Sequence, residues 1–178
     1  AGFIVSPGAS KLAIQNLTIE NFEQGLVVQS DGGCVDLINV VIDSCETGLK
    51  LVGSYQTEVD LHDPPNSSVI TGSTTGIEIT ADSAGNTIRN GTVSNNTGDG
   101  IVVDASNVAP SDNLITDIDV LDNAKTGIVL RGGAGTLVTD CTIARNNSGI
   151  DQDGYGGIAV LACCASLKWN TIENNQCS

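Results

Sequence analysis

Any chemistry in this chain has to be built largely from carboxylates. Fifteen Asp and six Glu stand against seven Lys and Arg, one His and six Cys. Two carboxylates hydrolyse a glycoside when one is protonated and the other ionised. Asp117 and Asp140 fall at equivalent positions of neighbouring repeats and are the candidates for such a pair. In the four preceding repeats the same position holds Asn, so the competing reading makes both of them turn residues. The lone His62, in Leu61-His-Asp-Pro-Pro65, sits in an insertion, where a solvated loop histidine is the plainer reading. Asp151-x-Asp153-Gly, inside the insertion Gly149–Gly157, offers oxygens to Ca²⁺. It lacks the further ligands of an EF-hand-like loop. Ca²⁺ is thus the single candidate ion, no cofactor is required, and no residue is assigned as catalytic.

The cysteines form no zinc pattern: Cys163 and Cys164 are adjacent and no CxxC occurs. Six of them in an acidic, turn-rich chain fit an oxidising compartment. Cys34 and Cys45 could close one repeat. Among Cys141, Cys163, Cys164 and Cys177 one further bridge is expected near the C-terminal repeat, and the pairing stays open. Cys45 and Cys141 also align with apolar positions, which allows both to be small core residues. Five sequons, at Asn16, Asn66, Asn90, Asn95 and Asn146, are candidate glycosylation sites. An Asn- and Thr-rich repeat generates such triplets by composition alone.

A net charge of −14 argues against nucleic acid as a partner, since binding it requires Lys and Arg to displace counterions from phosphates. The same charge keeps an extracellular protein soluble. No apolar run approaches the length needed to span a bilayer, so membrane insertion is not expected. Localisation is read as secreted or cell surface.

The residues that would position these groups recur. An aliphatic column runs Ile19, Ile42, Val69, Val93, Val120, Ile143, Ile172. Five positions upstream stand Ile14, Leu37, Ile88, Ile115, Val138 and Leu167, with Pro64 as the break in the third repeat. Three positions upstream stand Asn16, Asn39, Asn66, Asn90, Asp117, Asp140 and Trp169. Each repeat then has Gly and two alternating aliphatics, as in Gly25-Leu26-Val28 and Gly100-Ile101-Val103. Alternation at i, i+2 puts two side chains on one face of a short strand. One coil cannot bury that face alone, and stacked coils can. Gly, Asn and Asp between strands suit left-handed corners, and stacked Asn amides can bond from rung to rung. The expectation is a single all-β domain over 1–178. It is a parallel β-helix of about seven coils of three short strands, near 11–30, 34–54, 58–82, 85–106, 112–133, 135–162 and 165–178.

Segments such as Asn16-Leu-Thr-Ile-Glu-Asn-Phe-Glu-Gln-Gly-Leu26 and Gly91-Thr-Val-Ser-Asn-Asn-Thr-Gly-Asp-Gly-Ile101 resemble the right-handed parallel β-helix repeats of the pectin-lyase-like superfamily. The resemblance runs from about Lys11 to Ser178. It implies the fold, and a functional range from polysaccharide lyases, glycoside hydrolases and epimerases to adhesins and non-catalytic surface proteins. The Gly-His-Gly and Arg-Ile-Lys segments of the hydrolases are absent here. The coil pattern starts near Phe3-Ile-Val5 and continues to Asn174-Asn175, with no amphipathic capping helix in the pattern. The leading expectation is therefore an extracellular structural solenoid, a stalk, adhesin segment or head-to-tail filament subunit that stacks on itself. A polysaccharide-acting enzyme or a fragment of one is the first alternative. A carbohydrate-binding module using Tyr55, Tyr155 or Trp169 is the second.

Overall fold

The computed structural model describes residues 1–62, 64–65, 67–80, 82–105, 111–132, 135–147, 155–161 and 165–176. These form strands and tight corners only, and every strand pairs in parallel with its counterpart in the next coil. Sheet A is seven strands deep: Phe3–Val5, Gln24–Val28, Thr47–Leu51, Thr75–Ile79, Ile101–Ala105, Ile128–Gly132 and Ile158–Leu161. Five of these seven have neighbours on both sides. Sheets B and C share two ten-residue strands, Lys11–Glu20 and Cys34–Asp43, which bend through Asn16 and Asn39. From the third coil onward the two sheets have separate three-residue strands. Sheet B continues through Glu58–Asp60, Thr87–Arg89, Leu114–Thr116, Leu137–Thr139 and Ser166–Lys168. Sheet C continues through Val69–Thr71, Thr92–Ser94, Asp119–Leu121, Thr142–Ala144 and Thr171–Glu173. The chain is a parallel β-helix.

The core is one aliphatic column per inward position. In sheet A, Leu26, Leu49, Ile77, Ile101, Ile128 and Ile158 stand in register, as the Gly-plus-alternation pattern anticipates. All but Ile158 are fully buried, and each such side chain contributes on the order of 1.5–3 kcal/mol. The glycine preceding each pair has a steric cause. A Cβ on Gly25, Gly48, Gly76, Gly100 or Gly127 would lie 2.5–2.7 Å from the carbonyl oxygen of the equivalent glycine in the next coil. No other residue allows the rungs to approach this closely.

Two columns differ from the sequence alignment. The third-coil member of the sheet C column is Ile70, which pairs with both Ile42 and Val93 and is fully buried. Val69 points outward, because a slip of one residue reverses the face of every side chain in a strand. The sheet B column runs Leu12, Val35, Val59, Ile88, Ile115, Val138, Leu167. Val59 therefore fills the place assigned to Pro64, and the column is unbroken. Ile14 and Leu37 pair with each other further along the bent strands. Constant spacing failed here because the first two coils run one long strand through the corner that later coils turn sharply.

Candidate functional site

Each coil turns three left-handed corners, and besides that between sheets A and B, at Gly32, Gln56, Gly85, Asp112 and Gly135, two organise the candidate sites. The corner between sheets B and C is left-handed at Asn16, Asn39, His62, Asn90, Asp117, Asp140 and Trp169, with φ between 49° and 62°. This is the column read from the sequence, except that His62 supplies the third coil. Asn66 lies outside the described residues. The corner leaving sheet C is left-handed at Asn21, Ser44, Gly72, Asn95, Asp122, Arg145 and Asn174. Its next residue turns inward, and there the amide ladder forms. Asn96 Nδ2 donates to Asn123 Oδ1 at 2.8 Å, Asn123 Nδ2 to Asn146 Oδ1 at 2.9 Å, and Asn146 Nδ2 to Asn175 Oδ1 at 3.0 Å. The same Oδ1 atoms accept the backbone N–H of the preceding rung. Ser73 and Cys45 extend the column, since Ser73 N–H donates to Asn96 Oδ1 and Cys45 N–H to Ser73 Oγ. The expected ladder thus exists in this column, and a shorter one stands at the corner between sheets A and B, where Asn86 Nδ2 donates to Asn113 Oδ1 at 3.2 Å. In the Asn16 column the amide pair is the exposed bond from Asn39 Nδ2 to Asn16 Oδ1.

These placements sort the candidate site residues. Asn146 is fully buried and both of its amide hydrogens are used, the second on Val120 O, so this sequon is a ladder residue. Asn16 and Asn95 are exposed, and half-buried Asn90 donates to Asp60 Oδ1 at 2.7 Å. Cys34, Cys45 and Cys141 are free thiols, so the suggested closure between Cys34 and Cys45 is not formed. The cause is placement at opposite ends of one extended strand and its following corner. Cys45 and Cys141 face the core, as their alignment suggests. Burial pushes the Cys141 thiol up to about 11. Cys163, Cys164, Cys177, Asp151 and Asp153 lie outside the described residues.

Asp117 and Asp140 do share a column, and with Asp119, Gly91, Thr92, Ser67 and Pro64 they line a cleft of about 260 Å³. Each accepts a hydrogen bond from the hydroxyl of the threonine before it, Thr116 at 2.6 Å and Thr139 at 2.7 Å. That is the behaviour of a corner residue tying down its own turn. A larger cleft of about 400 Å³ lies against the outer side of sheet A. Glu23, Glu46, Glu78 and Asp99 line it together with Lys50 and Arg131. Lys50 and Glu78 are register partners and form an ion pair of 2.8 Å across it.

A third constellation sits on the outer side of sheet B and the adjoining corner. Asp36 and Asp60 are direct partners on adjacent rungs, and Arg89 follows Asp60 in the same column. Arg89 Nη2 lies 2.7 Å from Asp60 Oδ2 and 2.8 Å from Glu58 Oε1. The Cys34 thiol donates to Asp36 Oδ1 at 3.3 Å. Burial first, and then that bond to Asp36, push the thiol up to about 11. His62 Nε2 is 3.9 Å from Asp36 Oδ1, is buried, and has no hydrogen-bond partner. One ligand atom from each of Asp36, Asp60 and His62 fits within a 4.8 Å span. The sequence missed this site, because His62 stood in an insertion of unknown path. The signal was present in the alternating Cys34-x-Asp36 and Glu58-x-Asp60, whose outward side chains stack once the register is known.

The class these features define is a parallel β-helix with its charged clusters on the outer faces. The family model described as right handed beta helix region matches residues 1–178, the whole chain. The chain belongs to that family, and the solenoid is right-handed. No curated protein and no solved structure matches it.

Proposed function

We propose that the chain is an extracellular structural solenoid: a surface stalk, an adhesin segment, or a filament subunit that stacks on copies of itself. The observation that carries this reading is the unbroken parallel register of sheet A, from Phe3–Val5 to Ile158–Leu161. Successive rungs repeat the buried aliphatic columns and the glycine contact, so length is gained without new design. Seven rungs at the β spacing make a rod roughly 30 Å long. Its terminal rungs expose Ile4 and Phe22 at one end and Leu167 and Ile172 at the other. A further rung, from the same polypeptide or from another copy, would cover them by the contacts already used inside. The charge of −14 opposes association in every direction, so a contact between copies has to bury the apolar end rungs to offset it. The exposed sequons Asn16 and Asn95 can carry glycans without disturbing the core. Sedimentation velocity over a wide concentration range tests self-stacking. An s-value that rises with concentration, and further as salt screens the like charges, fits apolar end contacts, and a constant monomer s-value excludes the filament form.

The sheet A cleft favours one alternative, a polysaccharide-acting enzyme. It brings four carboxylates and two basic side chains to one open groove. Incubation with acidic and neutral polysaccharides, assayed for new reducing ends and unsaturated products, separates the two readings. Cleavage lost in Glu46→Gln or Lys50→Ala would replace the structural reading with an enzymatic one.

A further inference from the structure

The sheet B constellation carries more than its structural context requires. The register sets Asp36 directly opposite Asp60, and like charges so placed destabilise a sheet. Asp60 is buried and its position is fixed: Oδ1 accepts the His62 N–H at 2.8 Å and Asn90 Nδ2 at 2.7 Å, while Oδ2 faces Arg89. A carboxylate oxygen has two lone pairs, so Oδ2 keeps one free. Asp36, Asp60 and Glu58 against Arg89 leave two negative charges when His62 is neutral. The buried Nε2 of His62, without a hydrogen-bond partner, lies beside Asp36. A separation of 3.9 Å is too long for a hydrogen bond. Two ligands of one ion stand roughly 3–3.5 Å apart for bonds of the usual first-row length, so the half-exposed His62 ring has to move toward Asp36 by roughly half an ångström to share one.

We infer that Asp36, Asp60 and His62 form a binding site for one divalent first-row transition-metal ion. The imidazole nitrogen selects that class over Ca²⁺, which takes six to eight oxygens. Two carboxylates and a neutral imidazole neutralise the ion together with Glu58 and Arg89, and water fills the remaining positions. The ion would bridge the second and third coils where the chain leaves the regular strand at His62. It replaces the repulsion between Asp36 and Asp60 by a shared attraction.

The test uses the full chain and Zn²⁺, with Ca²⁺ as comparator. His62 is the sole histidine, so its imidazole resonances are unambiguous. The expected result is saturable displacement of those resonances by Zn²⁺ and at least a tenfold preference over Ca²⁺ in calorimetry. Asp36→Asn and His62→Gln should each weaken Zn²⁺ binding at least tenfold in calorimetry while the sheet circular dichroism is retained. Imidazole resonances that do not move at saturating Zn²⁺ would overturn the site. So would resonances that respond only to pH, with binding unchanged in Asp36→Asn, since that is the behaviour of a protonated His62 paired with Asp36.

Discussion

The two left-handed corners that flank sheet C use the same backbone device for opposite ends. At the corner leaving sheet C, the residue after the left-handed one turns inward, and Ser73, Asn96, Asn123 and Asn146 are each fully or almost fully buried. At the corner between sheets B and C the residue after the left-handed one is also buried but apolar, as at Val40, Ile118 and Cys141, so no amide column forms there, and the outward left-handed residue varies from Asn to Asp, His and Trp. A buried amide must satisfy its donors and acceptor, and another amide directly above and below does so at the rung spacing. An outward residue has water as a partner, so side-chain identity there is free to change. The first corner holds the rod together, and the second is where chemistry can collect.

The sharpest break of that contrast is Asn123→Ala. It strips the acceptor from the N–H and Nδ2 of Asn96 and the donor from Asn146 Oδ1, all in the interior. The expected loss is about 3–5 kcal/mol by denaturant unfolding, from unsatisfied groups and a cavity together. Gly100→Ala attacks the neighbouring contact. Its Cβ would stand 2.6 Å from Gly127 O and 2.7 Å from Val120 Cγ1, with an expected cost of about 1–3 kcal/mol in the same measurement.

The buried thiol gives a pH test. The Cys141 value is raised by burial from 9.0 to about 11. A group whose folded value is raised contributes stability that is complete below the unfolded value and is lost as pH rises through the folded one. Stability should therefore fall between pH 9 and 11, by roughly 2–3 kcal/mol from this thiol. Cys141→Ala should flatten that part of the profile, leaving the share of Cys34. In the outer corner, Asp117→Ala is expected to change stability by no more than about 1 kcal/mol. A loss equal to that of Asn123→Ala would erase the distinction between the corners. Expressed through a glycosylating pathway, the chain should carry sugars at Asn16 or Asn95 and none at Asn146, checked by peptide mass mapping.

The sequence shows the coil, the Gly-aliphatic columns and the left-handed corner directly, since each is a local pattern repeated at near-constant spacing. It misplaces what depends on path length through an insertion. Val69 displaced Ile70, and Pro64 displaced Val59, because the third coil takes extra residues between sheets B and C. The ladder was legible as a tendency of Asn, yet its column was not, because burial is decided by which residue follows the left-handed one. Asp36 and Asp60 lie 24 residues apart in the chain. Only the register makes them neighbours, and only the path of the insertion brings His62 to them.

The central claim, a rod whose rungs stack in one continuous register and whose ends accept another rung, is tested most directly by electron microscopy of the native material under non-reducing conditions. The account predicts rods or filaments with an axial repeat that is a multiple of the roughly 30 Å set by seven rungs. Discrete globular particles with no axial extension beyond a single rod and covered ends would contradict it.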